Sequence, residues 1–152
     1  MDDWPIHPDG VELIKSCEGF RSRAYICPAG VWTIGWGATR DLDGARVTKD
    51  TPDVDEEEAG RILARDLVKF AASVDRLVIV PIGPRQRAAL TSFAFNLGAG
   101  QLKCSTLLRK VNGDEWEDVP KEFMKWVMGG GRVLPGLQKR RRLEVQLWLE
   151  EA

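Results

Sequence analysis

Residues 17–41, CEGFRSRAYICPAGVWTIGWGATRD, decide the fold. They read as a helix end, a tight loop and a hairpin. Gly19 stops the helix that carries Glu18. Pro28-Ala29-Gly30 signals a turn, and Val31, Trp32, Thr33 and Ile34 are the β-branched and aromatic residues that suit a strand. Gly35 and Gly37 bracket Trp36, which predicts a second bend or a close backbone approach. Within this stretch Glu18, Cys27 and Thr33 stand at the spacing Glu-x8-Cys-x5-Thr. Local chain geometry alone therefore brings a carboxylic acid, a thiol and a hydroxyl to one mouth.

Upstream, Asp9 through Glu18 reads as a short helix with Asp9 as its cap and Val11, Leu13 and Ile14 as its apolar side. Downstream, Asp53 followed by Glu56 is a capping-box-like start. Ala59, Ile62, Leu63, Leu67, Phe70, Val74 and Leu77 then recur at steps of three and four, which predicts a long amphipathic helix before Pro81. A second helix follows Pro84 and stops at Gly98; a third covers about Ser105 to Val111. A fourth runs from Asp114 to Val127, with Pro120 shifting its start or kinking it. Gly129-Gly130-Gly131 is a break, and Pro135 opens a last helix to about Glu150. The predicted class is α+β, mostly α. A hairpin lobe at residues 20–50 and a helical lobe at 53–150 are joined by the long helix, with a cleft between them.

A chain of 152 residues fits one domain, expected over residues 1–152. Its 43% hydrophobic and 30% charged residues describe a soluble globular protein. A net charge of −1 excludes a generally basic nucleic-acid binder, so any attraction to an anionic partner is local. The start MDDWPIHPDG has neither a basic nor an apolar signal region, and no run approaches the roughly 20 apolar residues of a membrane span. The reading is a cytoplasmic protein without stable membrane insertion, and the odd count of three cysteines agrees with a reducing compartment. His7, the single histidine, lies in a loose terminus, which argues against a histidine-based triad. Cys17, Cys27 and Cys104 lack ligand-pair spacing, so no metal and no cofactor are expected.

The candidate site is read from side-chain chemistry. Glu18 sits at a helix C-terminus, where the dipole disfavours a negative charge, and this suits a proton donor. Arg21 and Arg23 are near enough in sequence to lower the Cys27 thiol, and Thr33 offers a hydroxyl to orient water. Cys17 and Cys104 fall in helical segments and read as small buried hydrophobes. An acid opposed by a second polar group is what glycosidic cleavage needs. Lys139-Arg140-Arg141-Arg142, beside Leu137, Leu143 and Leu147, reads either as a solvated face or as a patch for an anionic polymer.

The stretch LIKSCEGFRSRAYICPAGVWTIGWGATRD resembles the catalytic segment of phage-type lysozymes, the endolysins that cut peptidoglycan. Similarity continues through VTKDTPDVDEEEAGRILARDL, QRAALTSFAFNLGAGQLKCSTLLRK and WVMGGGRVLPGLQKRRRLEVQLWL, about residues 9–150. The resemblance implies a two-lobed lysozyme-like fold with Glu18 as acid, Cys27 as base, water-positioning group or nucleophile, and Thr33 assisting. It implies substrate contacts at Asn96, Arg141, Arg142 and Trp36. Many relatives carry Asp at the place of Cys27, and some a histidine at that of Ala38. The implied activity is hydrolysis of the β-1,4 bond between N-acetylmuramic acid and N-acetylglucosamine; the alternatives are a lytic transglycosylase using Glu18 alone, or a non-catalytic peptidoglycan-binding module. The implied partner is the peptidoglycan glycan strand, met by a monomer with no separate wall-binding domain and released from the host cytoplasm by a holin. Cys17 and Cys27 lie on either side of Glu18, but pairing them in an oxidising compartment needs Cβ atoms within about 4.5 Å, and a Cys17 facing the core argues against it.

Overall fold

A computed structural model describes residues 3–150. Helix α1 (Pro8–Glu18) leads into an antiparallel hairpin, β1 (Arg21–Ile26) and β2 (Trp32–Gly35). The long α2 (Glu56–Leu77) follows, then α3 (Pro84–Leu97), α4 (Ala99–Lys103) and α5 (Thr106–Asn112). A 3-10 turn (Trp116–Asp118), α6 (Val119–Met124), a second small hairpin of β3 (Met128–Gly129) and β4 (Arg132–Val133), and α7 (Pro135–Leu149) complete the order. The class is α+β and mostly helical, as the sequence predicts. No helix of the described residues is long and apolar enough to cross a membrane.

The hairpin pairs Tyr25 with Thr33 and Ile26 with Trp32, and its register shifts between Arg21 and Tyr25. Cys27 N–H donates to Val31 O at 2.9 Å and closes the turn. Beyond β2 the chain bends again, bridging Ile34 to Ala38. Arg65 of α2 donates through Nη2 to Arg40 O at 3.1 Å and through Nη1 to Asp41 O, clasping the loop after the hairpin to the long helix.

Helix α3 runs through the middle of the helical lobe, with Ala88, Ala89, Leu90, Phe93 and Ala94 fully buried. Gly10 of α1 lies so near it that an added Cβ would stand 2.6 Å from Ala88 Cβ. Glycine there lets two backbones approach. Ile62, Leu63, Leu67 and Val74 form the buried stripe of α2 that the three-and-four spacing predicts.

Several boundaries differ from the sequence reading, each for a local reason. His7, not Asp9, caps α1: its Nδ1 accepts from Asp9 N–H at 3.0 Å, and Pro8 takes the first helical position. The terminus at His7 is therefore structured. Asp55, not Asp53, caps α2, its Oδ1 accepting from Glu58 N–H at 2.8 Å. Val54 between them is buried and donates its N–H to Ser22 O at 2.9 Å, which keeps that segment extended against the hairpin. Pro120 does shift the fourth helix, which starts at Val119 after the 3-10 turn and ends at Met124. The glycine break holds the β3–β4 hairpin, and the short α4 leaves Cys104 exposed at its end rather than buried.

Candidate active site

Glu18 is the last residue of α1, and Gly19 turns the chain away from the helix. The second bend of the hairpin then returns over it. Gly37, at φ +80°, sits where an added Cβ would lie 2.7 Å from Glu18 Oε1. This is the close approach predicted from Gly35-Trp36-Gly37. From the other side Arg140 Nη1 of α7 donates to Glu18 Oε2 at 2.6 Å. Arg140 is itself buried, so a guanidinium, rather than the helix dipole, is the nearest charge to this carboxylate.

Two hollows meet at Glu18. One, of about 370 Å³, is walled by Thr39, Arg40, Arg65, Asp66, Lys69 and Phe70 on the hairpin side and α2, and by Phe95 and Asn96 of α3. The other, of about 460 Å³, is walled by Cys17, Leu134, Pro135, Leu137 and Arg140. Glu18 and Asn96 line both, so the hollows form one groove with these two residues at its waist. Burial pushes the Asp66 carboxyl above its ordinary range, and the guanidinium of Arg65, 3.0 Å away, opposes that.

Cys27 and Thr33 lie on the two sides of the hairpin turn, Cys27 just after β1 and Thr33 in β2. The Val31 N–H aimed at the sulfur holds the Cys27 thiol below its ordinary value; desolvation opposes this, and the Ala29 N–H and the Thr33 hydroxyl add to it. Thr33 is buried, and its hydroxyl donates to Val31 O at 2.9 Å, which leaves its lone pairs as acceptors. Arg21 and Arg23 take no part in lowering the thiol. Arg21 lies over the Tyr25 ring at 4.7 Å, and Arg23 faces Asp53 at 3.9 Å. Neither Cys27 nor Thr33 lines the two hollows beside Glu18.

The predicted substrate contacts separate. Asn96 stands at the waist of the groove, its Oδ1 fixed by Arg141 Nη2 at 2.7 Å. Arg141 has no exposed surface, so it supports Asn96 from behind and cannot reach a glycan. Arg142 is exposed on α7 but lines neither hollow. Trp36 is buried, packed on Phe20 at 5.2 Å and under the Lys15 ammonium at 4.4 Å, which makes it core of the hairpin lobe rather than groove wall. Among the described residues no cluster of three or more metal-type ligands occurs.

Sequence reasoning missed what lies behind the groove. Glu144 of α7 is fully buried. Ser92 Oγ donates to Glu144 Oε2 at 2.6 Å, Arg141 Nη2 donates to the same oxygen at 3.1 Å, and Arg140 Nη2 donates to Ser92 O and Oγ at 3.3 Å each. Arg141 Nε stands 2.7 Å from Glu144 Oε1, a close ion pair without hydrogen-bond alignment. Desolvation pushes the Glu144 carboxyl upward while the two guanidinium groups oppose it. The one signal in the sequence was an acid three and four residues after two arginines, set between Leu143 and Leu147 on one helix.

Residues 15–144 match a family model described as phage lysozyme. The chain is 40% identical over 143 residues to an endolysin of Bacillus phage B103; the match takes 92% of this chain and 52% of that relative, so the chain spans about half the length of that protein. An endolysin from Escherichia coli O157:H7 phage FAHEc1 superposes with a TM-score of 0.87 at 30% identity, over 95% of this chain and 93% of the other. The muramidase domain of SpmX from Asticaccaulis excentricus superposes with a TM-score of 0.79 at 36% identity, over 97% and 99%.

Proposed function

The chain belongs to the phage lysozyme family, and on that premise we propose that it is an endolysin that hydrolyses the β-1,4 bond between N-acetylmuramic acid and N-acetylglucosamine in peptidoglycan. One observation carries this reading. Glu18 and Asn96 stand together at the waist of an open groove, with Arg140 Nη1 2.6 Å behind the acid. A glycan strand laid along the groove presents its bridging oxygen to Glu18 and an amide or hydroxyl to Asn96.

In this mechanism Glu18 delivers a proton to the departing oxygen, a step that contributes about 10²–10⁴-fold. The oxocarbenium-like sugar is met from the hairpin mouth by water that the Cys27 sulfur and the Thr33 hydroxyl hold. The low-lying thiol suits this role, because a thiolate accepts the proton of the attacking water. The enzyme works as a monomer on glycan strands, and a partner that opens the host membrane releases it to them.

A second reading is favoured by Cys27, a thiol where many relatives carry a carboxylate, standing outside the hollows that flank Glu18. In a lytic transglycosylase Glu18 acts alone and the muramic acid's own hydroxyl closes an anhydro ring. Mass spectrometry of muropeptides released from purified peptidoglycan separates the two. Reducing-end products are expected; anhydro products would establish the second reading, and no release would leave only a wall-binding module.

A further inference from the structure

Behind the groove the charges alternate. Glu18 meets Arg140 at 2.6 Å, Arg140 Nε stands 3.6 Å from Glu144 Oε2, and Glu144 meets Arg141 at 2.7 Å. Two carboxylates and two guanidinium groups balance, and the last three members have 4% or less of their side-chain surface exposed. Each end of the chain reaches the groove: Arg140 grips Glu18, and Arg141 grips the carbonyl oxygen of the Asn96 side chain. Ser92 locks the middle, donating to Glu144 and accepting from Arg140.

Glu144 touches nothing that enters the groove, yet both arginines are placed by it. Without its charge, two like charges face each other in a poorly solvated interior, where their repulsion is strong. Arg140 retains Ser92 and Glu18, and Arg141 retains the carbonyl oxygens of Asn96 and Trp126 and the face of the Phe93 ring at 5.1 Å, none of which carries a compensating charge for Arg141.

We propose that Glu144 is a positioning residue for the reaction, a buried carboxylate that fixes the catalytic acid through Arg140 and the side-chain amide of Asn96 through Arg141 at once. This rests on the assignment of Glu18 as the acid. A network that served stability alone would lower the melting point of a variant and leave its turnover per folded molecule intact. Positioning makes a different forecast, because displacement by about 1 Å at a reacting group costs on the order of 10²-fold in rate.

The test is Glu144→Gln, which keeps the volume of the side chain and removes its charge. Turnover of purified peptidoglycan per folded molecule is expected to fall at least about tenfold. The alkaline limb of the pH–rate profile is expected to move to lower pH, since unbalanced guanidinium charge beside Glu18 favours its ionised form, which cannot donate a proton. Ser92→Ala, a smaller change, is expected to shift the same limb in the same direction with a fall of about threefold, and it carries the test should the first variant fail to fold. Wild-type turnover and an unmoved limb in either folded variant would overturn the proposal. Glu18→Gln runs alongside. If that variant stays active, the assignment of the acid fails; if it is dead while Glu144→Gln and Ser92→Ala behave as wild type, only the positioning role fails.

Discussion

Arg140 Nη1 and Glu18 Oε2 stand 2.6 Å apart although 122 positions separate the residues in the chain. The contact joins the last helix to the end of the first, behind the acid at the waist of the groove. It makes the final helix part of the site.

Glu18→Gln is expected to abolish detectable lysis, with turnover down by about 10²–10⁴-fold. The fold survives at a cost of about 1–2 kcal/mol, because the buried Arg140 loses a charged partner. Turbidity loss of permeabilised cells, read with the thermal midpoint, checks both parts. A folded variant with most of its turnover would refute the assignment.

Gly37→Ala is a more local probe. Its Cβ would meet Glu18 Oε1 at 2.7 Å, and the residue stands at φ +80°. The flexible carboxylate yields before the backbone does. Turnover should fall on the order of 10²-fold, while the left-handed backbone costs about 1–2 kcal/mol. A variant with normal turnover would mean that the acid works from another rotamer.

Cys27 is expected to react with iodoacetamide with a half-maximal rate below the usual thiol pKa of about 8.5, because the Val31 N–H, the Ala29 N–H and the Thr33 hydroxyl favour its thiolate. Thr33→Val removes the hydroxyl at nearly constant volume and should move that midpoint upward. Cys27→Asp should keep substantial lysis and Cys27→Ser should lose much of it. Equal lysis in all three proteins would make the thiol a spectator.

Asp66 provides a pH test of stability. Burial raises its carboxyl, so the folded state favours the protonated form. That contribution is present at low pH and is lost as the pH rises through the raised value, where an ionised, half-buried carboxylate opposes folding. Asp66→Asn should therefore raise the thermal midpoint near neutral pH, with the gain disappearing toward about pH 3. A variant destabilised equally at both pH values would show that the bond to Arg65 outweighs desolvation.

What the sequence made legible was mostly local. The hairpin followed from β-branched residues between turn signals, the long helix from its apolar period, and a second bend with a close approach from two glycines flanking Trp36; that the approach is to Glu18 was not legible. The caps of the first two helices were each misplaced by two residues, because Pro8 and the buried Val54 settle them through contacts that a capping pattern does not contain. Arg141 and Trp36 were assigned to the groove and are buried instead. Side-chain type does not say which way a helix or a bend turns, and here α3 and Phe20 decide it. The network behind the site was the least legible part, since Ser92, Glu144 and Glu18 lie on three different helices and meet only when these pack.

The near-complete burial of Arg140, Glu144 and Arg141 also separates two responses to ionic strength. Mobile counter-ions screen exposed charges within about 10 Å at 0.1 M, but they do not penetrate this interior. The exposed Arg40 and Lys69 on the groove wall stay open to that screening. Brine should therefore loosen the enzyme's hold on a polyanionic wall long before it disturbs the alignment of the acid.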